Sequence, residues 1–154
     1  MKAKGLRGIL FLGLLAAGLA APAAADEPSY LGHISLADIR NDGKDVMIFR
    51  ENAVSGEPAL LNMPLGPGDI VRTTDARRTE IQFDNGTLIR LDYDSELKIE
   101  TILAPSLTSL ENVSNAVLSK GRAYVMYTEY DRRELFQILT PSAALKMKNH
   151  TVAE

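Results

Sequence analysis

The chain contains no cysteine and no tryptophan, and its only histidines are His33 and His150. Without cysteine there is no disulfide framework and no thiolate to act as ligand or nucleophile. Two histidines leave too few nitrogen ligands for an ordinary zinc site. Neither histidine has a nucleophile and an orienting acid beside it, and no Gly-x-Ser-x-Gly elbow or Walker-type phosphate loop occurs. No cofactor is therefore expected. Asp42, Gly43 and Asp45 supply too few oxygens for a calcium loop, which closes on a bidentate acid. Positive charge is also scarce, with 17 Lys and Arg against 20 Asp and Glu and a net charge of −3. Nucleic-acid binding needs clustered cations to release counterions, and the two arginine pairs, Arg77-Arg78 and Arg132-Arg133, both lie beside acids. No nucleic-acid partner is expected.

Long apolar runs are absent after residue 25. Before it, Lys2, Lys4 and Arg7 precede an apolar stretch from Gly8 to Ala21, closed by Pro22 and followed by Ala23-Ala24-Ala25. That stretch falls short of the roughly 20 residues a membrane span requires, and small residues stand after it at the positions a signal peptidase reads. Residues 1–25 are expected to form a helical signal peptide cleaved near Ala25, leaving no stable membrane anchor and, without cysteine, no lipid attachment. The released protein is expected to be periplasmic or secreted. Losing those three cations takes the net charge from −3 to −6. The remaining chain of about 130 residues is long enough to bury close to two-thirds of its unfolded surface around one core.

From Tyr30 onward the chain has the pattern of an all-β protein. Val46-Met47-Ile48-Phe49 and Ile70-Val71 are short apolar runs, separated by turn chemistry at Asn41-Asp42-Gly43, Ser55-Gly56, Pro64 to Gly68 and Asn85-Gly86. The spacing predicts an antiparallel or mixed β-sandwich or roll of short strands. Further strands are predicted at 116–118, 122–128 and 135–139, with turns at Lys120-Gly121 and from Tyr130 to Arg133. Thr140-Pro141 marks a strand end, because proline lacks a backbone donor. The Pro, Ser and Thr content of residues 103–115 favours a loop or irregular edge. A last strand is expected from Ala143 to Met147 or on to Val152, and the chain is expected to continue past Glu154.

The stretch around Asn85-Gly86 allows a finer reading. A two-residue turn there would set Ile81 against Arg90 and split the apolar residues between faces. A three-residue loop, Asp84-Asn85-Gly86, with Gly86 left-handed, sets Ile81 against Ile89 and Phe83 against Thr87. Ile81, Phe83, Ile89, Leu91 and Tyr93 then share one face, and Leu97 and Ile99 continue its parity. Arg90, Asp92, Asp94, Glu96, Lys98 and Glu100 fall on the other side. Asp92 and Asp94 are the closest approach to a carboxylate pair, but the charges around them describe a solvated face. Tyr124, Met126, Tyr127 and Tyr130 form the densest aromatic feature. They are candidates for a recognition surface, with Tyr124 and Met126 on one side of the strand and Tyr127 on the other.

The order of these features resembles the FecR domain family, extracytoplasmic domains named for the regulator of ferric dicitrate transport. The resemblance spans roughly residues 32 to 152. It is carried by Gly32, by Leu65-Gly66-Pro67-Gly68-Asp69-Ile70-Val71-Arg72-Thr73, and by the run from Arg78 through Asn85-Gly86-Thr87 to Leu91. Ser95-x-Leu97-x-Ile99, Lys120-Gly121-Arg122-Ala123-Tyr124-Val125 and Phe136-Gln137-Ile138-Leu139-Thr140-Pro141 complete it. The resemblance implies that Gly68, Asp69, Asn85, Gly86, Gly121 and Pro141 are structural turn positions, and it carries over no catalytic residue. Together with the residue reading it implies an exported, noncatalytic binding or sensing module in the cell envelope whose partner is an envelope protein or a glycan. The alternatives are a carbohydrate-active or carbohydrate-binding β domain and a scaffold that presents a C-terminal region.

Overall fold

The computed structural model describes residues 32–37, 45–75, 77–108, 110–128, 134–148 and 151–154. The predicted signal peptide, Tyr130 and His150 lie outside them. The described residues form thirteen strands and no helix. Strands β1 (Gly32–Ala37), β4 (Pro64–Leu65), β6 (Thr79–Phe83), β7 (Leu88–Leu91), β10 (Ala123–Tyr127) and β13 (Thr151–Ala153) make one sheet in the order β13-β10-β7-β6-β1-β4. The second contains β2 (Val46–Phe49), β3 (Glu57–Pro58), β5 (Ile70–Thr73), β8 (Glu96–Pro105), β9 (Asn112–Lys120), β11 (Glu134–Leu139) and β12 (Ala144–Met147), in the order β12-β11-β9-β8-β5-β2-β3. We call these sheets A and B. The architecture is the all-β mixed one expected from the strand and turn spacing.

Among the described residues the strand pairings are antiparallel except for β9 with β11. Parallel neighbours need a crossover connection, and here the intervening strand, β10, lies in the opposite sheet. Alternating residues from both sheets fill one core. Ile34, Ile81, Phe83, Ile89, Leu91, Val125 and Tyr127 come from sheet A, and Val46, Ile48, Val71, Leu97, Ile99, Phe136 and Met147 from sheet B. At its centre Phe136 stacks on Tyr127 with ring centroids 5.6 Å apart and meets Phe83 edge-on at 5.9 Å. Each large apolar side chain removed from water here stabilises the fold by about 1.5–3 kcal/mol.

The β6–β7 hairpin has the predicted register, with Ile81 opposite Ile89. Phe83 N donates to Thr87 O at 2.9 Å, Gly86 N donates to Phe83 O at 2.9 Å, and Gly86 has φ 84°. Asn85 closes the loop by accepting from Thr87 N at 2.9 Å through its side-chain oxygen. Its amide nitrogen donates to Glu134 Oε1 at 2.7 Å, tying the turn to β11. Gly121 sits between β9 and β10 with φ 84°, against Ser95. Asp69, the residue before β5, is a buried acceptor, taking bonds from Gly66 N at 2.9 Å and Arg50 Nη1 at 2.7 Å. Pro141 lies in the 140–143 turn that joins β11 to β12, closed by the bond from Thr140 N to Ala143 O at 2.8 Å.

Four expectations are corrected. Residues 103–115 are not mainly loop, because β8 runs to Pro105 and β9 begins at Asn112. This long hairpin carries register shifts between Glu96 and Leu97, Ile99 and Thr101, and Thr101 and Ala104. Those irregularities break the period-2 pattern and hide the strands from sequence. Tyr93 does not continue the inward stripe, since the chain turns after Leu91 and leaves the ring 45% exposed under the Arg78 guanidinium. Asp92 and Asp94 do not share a strand face. They fall in the corner between β7 in sheet A and β8 in sheet B, where Asp94 has φ 49°. The final segment is not one strand, because β12 ends at Met147 in sheet B and β13 pairs with β10 in sheet A.

Candidate recognition face

Strand β10 alternates strictly, with Ala123, Val125 and Tyr127 inward and Tyr124 and Met126 outward. The pleat is the cause, since it sends successive side chains to opposite faces. Tyr127 is therefore core and not recognition surface: its side chain is fully buried and its hydroxyl donates to Glu134 O at 3.4 Å. Tyr124 and Met126 remain candidates, each 37% exposed.

Cross-strand register arranges the outer face of sheet A in rows. His33, Gln82, Leu88, Met126 and Val152 are successive partners across β1, β6, β7, β10 and β13. The Leu88, Met126 and Val152 end of this row is apolar. The next row places Glu80 opposite Arg90 and Arg90 opposite Tyr124. Beyond it, Asp92 N donates to Arg122 O at 3.0 Å, and Arg78 Nε donates to Asp92 Oδ1 at 2.7 Å.

A depression of about 210 Å³ opens over the last two rows, lined by Arg78, Arg90, Leu91, Asp92, Arg122, Tyr124 and Glu154. Three arginines from three different strand regions converge on it, with side chains 62%, 61% and 67% exposed for Arg78, Arg90 and Arg122. Arg78 and Arg90 are held by ion pairs made through Nε, to Asp92 and Glu80. Arg122 is held more loosely, with Asp92 Oδ2 at 3.8 Å and Glu154 Oε1 at 3.7 Å, both beyond hydrogen-bond length. The hydrogen bond from Arg78, helped by the backbone N–H of Tyr93, holds the Asp92 carboxyl below its ordinary range. The same pairing raises Arg78, and Arg90 is likewise raised by its bond to Glu80.

Asp94 points elsewhere, pairing with Lys120, and both side chains are 61% exposed. Among the described residues no group of three His, Cys, Asp or Glu is placed to hold a metal ion.

The order Gly68-Asp69, the Asn85-Gly86 hairpin, the Gly121 turn feeding β10 and the Pro141 turn now stand on one scaffold. A protein-family model described as FecR protein matches residues 69–153. The chain belongs to the FecR family. No curated protein and no solved structure matches it. The matched span of this FecR-family chain runs from Asp69, just before β5, to the end of β13, so it contains the whole arginine-rich depression except Glu154. The convergence of Arg78, Arg90 and Arg122 was missed in the sequence. Their outward parity was visible at Arg90 alone; the Asn85-Gly86 hairpin sets β6 beside β7, but nothing in the linear order brings β10 beside β7.

Proposed function

We propose that this FecR-family domain is an exported, noncatalytic recognition module that contacts its envelope partner through the outer face of sheet A. FecR domains are extracytoplasmic regulatory domains, and the N-terminal segment with the features of a signal peptide is consistent with export. The observation that carries the reading is the alternation of β10. It places Tyr124 and Met126 outward beside Leu88, Val152 and a cluster of arginines, while the same strand's other face builds the core. Tyr, Met and Arg are the side chains enriched at interfaces, and an exposed apolar strip rimmed by charge is the surface feature that marks an interaction site.

The geometry supports recognition over glycoside hydrolysis. A hydrolase needs one carboxylic acid kept protonated near neutral pH by a raised pKa. Asp92 is displaced in the opposite direction, and Asp94 is exposed at the sheet corner and paired with Lys120.

The test is capture of partners from envelope extract by the full chain and by Met126→Lys. The substitution places a charge in the apolar row without touching the core. Loss of the captured material with unchanged thermal stability is the expected result. Equal capture by both proteins would remove this face from the interaction.

A further inference from the structure

We propose that the depression among Arg78, Arg90, Arg122 and Tyr124 binds an acidic sugar residue, a uronate within a polysaccharide. Arg122 holds its carboxylate, and Asp92 and Glu154 accept its hydroxyls. The proposal rests on the recognition reading above and names its ligand class.

Size comes first. At about 210 Å³ the depression is below the range of roughly 300–1,000 Å³ that houses a drug-sized ligand. It suits a single sugar ring. The rim is open to solvent, so the polymer chain can continue past it on either side.

Charge then narrows the class. The whole chain is acidic, so a depression lined by three exposed guanidiniums against two carboxylates makes a local exception. Two of them are oriented by ion pairs through Nε. Arg122 has its nearest carboxylates at 3.7 and 3.8 Å, which leaves its planar fork able to take an incoming carboxylate in the bidentate geometry that arginine favours.

The acids in the same depression decide between a sugar and an acidic peptide. Asp92, held ionised by Arg78, and Glu154 both line it. They repel any further carboxylate, of a sugar or of a peptide, but a sugar's hydroxyls donate hydrogen bonds to them, whereas an acidic side chain has no donor to offer. A uronate offers one carboxylate and several hydroxyls on one ring. Its C–H face can lie on Tyr124, whose ring is partly exposed beside Arg90.

The experiment titrates the full chain at low ionic strength, where exposed charges are least screened. The probes are trigalacturonate, its methyl ester and triglutamate, with binding read by calorimetry and tyrosine fluorescence. Trigalacturonate is expected to bind, with the methyl ester at least tenfold weaker. Arg122→Gln should lower trigalacturonate affinity at least tenfold, and Arg72→Gln, which alters an arginine on sheet B paired with Glu96, should leave it unchanged. Equal binding by Arg122→Gln and the unaltered chain would overturn the proposal. So would tighter binding of triglutamate, which would mark an acidic-peptide site. If trigalacturonate fails to bind while Met126→Lys still abolishes capture from envelope extract, the sugar assignment falls and the recognition face stands. If neither substitution changes anything, both fall.

Discussion

Ser95 fills the space that a side chain at Gly121 would need. A Cβ built on Gly121 would stand 2.6 Å from Ser95 Cα, while Ser95 Oγ accepts from Arg122 N at 3.0 Å and its hydroxyl lies 2.9 Å from Tyr93 O. This contact pins the corner between β7 and β8 to the turn that starts β10, and so places Asp92 beside Arg122.

The Gly121 contact separates two glycines that share a φ of 84°. At Gly86 the nearest atom to an added Cβ is Thr128 Cβ at 3.9 Å, so Gly86→Ala meets only the left-handed backbone penalty of about 1–2 kcal/mol. Gly121→Ala meets that penalty and a backbone clash, and should lose about 3 kcal/mol or more. Urea unfolding of the two variants measures the difference, and equal losses would contradict the Ser95 packing.

Tyr124 and Tyr127 test the inward and outward assignment of β10. Tyr127→Ala removes a fully buried ring stacked on Phe136 and should cost about 3–5 kcal/mol. Tyr124→Ala, on the exposed face, should cost less than about 1 kcal/mol. Chemical denaturation with both variants gives the order, and a reversed order would mean that the strand is turned over.

Asn85 joins the β6–β7 turn to the buried Glu134 through a 2.7 Å hydrogen bond. Asn85→Ala should destabilise by about 1–3 kcal/mol, because a donor to a buried acceptor is lost. Asn85→Asp should be worse, since it sets a second carboxylate against Glu134. Thermal unfolding near neutral pH checks the ranking of the two.

Glu96 accepts a hydrogen bond from Ser119 Oγ at 2.8 Å, which lowers its pKa; partial burial opposes this, and pairing with Arg72 reinforces it. A carboxyl whose folded pKa is depressed stabilises the fold above its unfolded value, about 4.3, and loses that contribution as the pH falls through the lower folded value. Stability should therefore drop on acidification below about pH 4.3, and Glu96→Gln should make the drop shallower. Unfolding free energies measured from pH 6 down to pH 3 supply the comparison, and identical slopes would exclude Glu96 from the acid transition.

Much of the local structure was legible in the sequence. The Asp84-Asn85-Gly86 loop, the Ile81 to Ile89 register, the β-strand character of 46–49, 123–127 and 135–139, and the turns at Gly121 and Pro141 all derive from period-2 alternation and turn chemistry. Less was legible where the chain broke that period. The bulged hairpin from Glu96 to Lys120 has no clean alternation over residues 100–113, and its Ser, Thr and Pro content resembles a loop. The candidate site was half legible: the shared parity of Tyr124 and Met126, opposite to Tyr127, was readable, and neither which side faces water nor the arginines around them were.

Parity is a local property of a pleated strand, so the order of residues alone determined which side chains of β6, β7 and β10 share a face, although not at Tyr93, where the strand has ended. Parity says nothing about which sheet a strand joins. Leu91 and Leu97 share it, yet the corner at Asp94 sends them to opposite layers of one core. Only the tertiary structure decided that, and with it the meeting of Arg78, Arg90 and Arg122. The β6–β7 hairpin sets Arg78 near Arg90, but only the pairing of β7 with the distant β10 adds Arg122, and no periodicity along the chain encodes it.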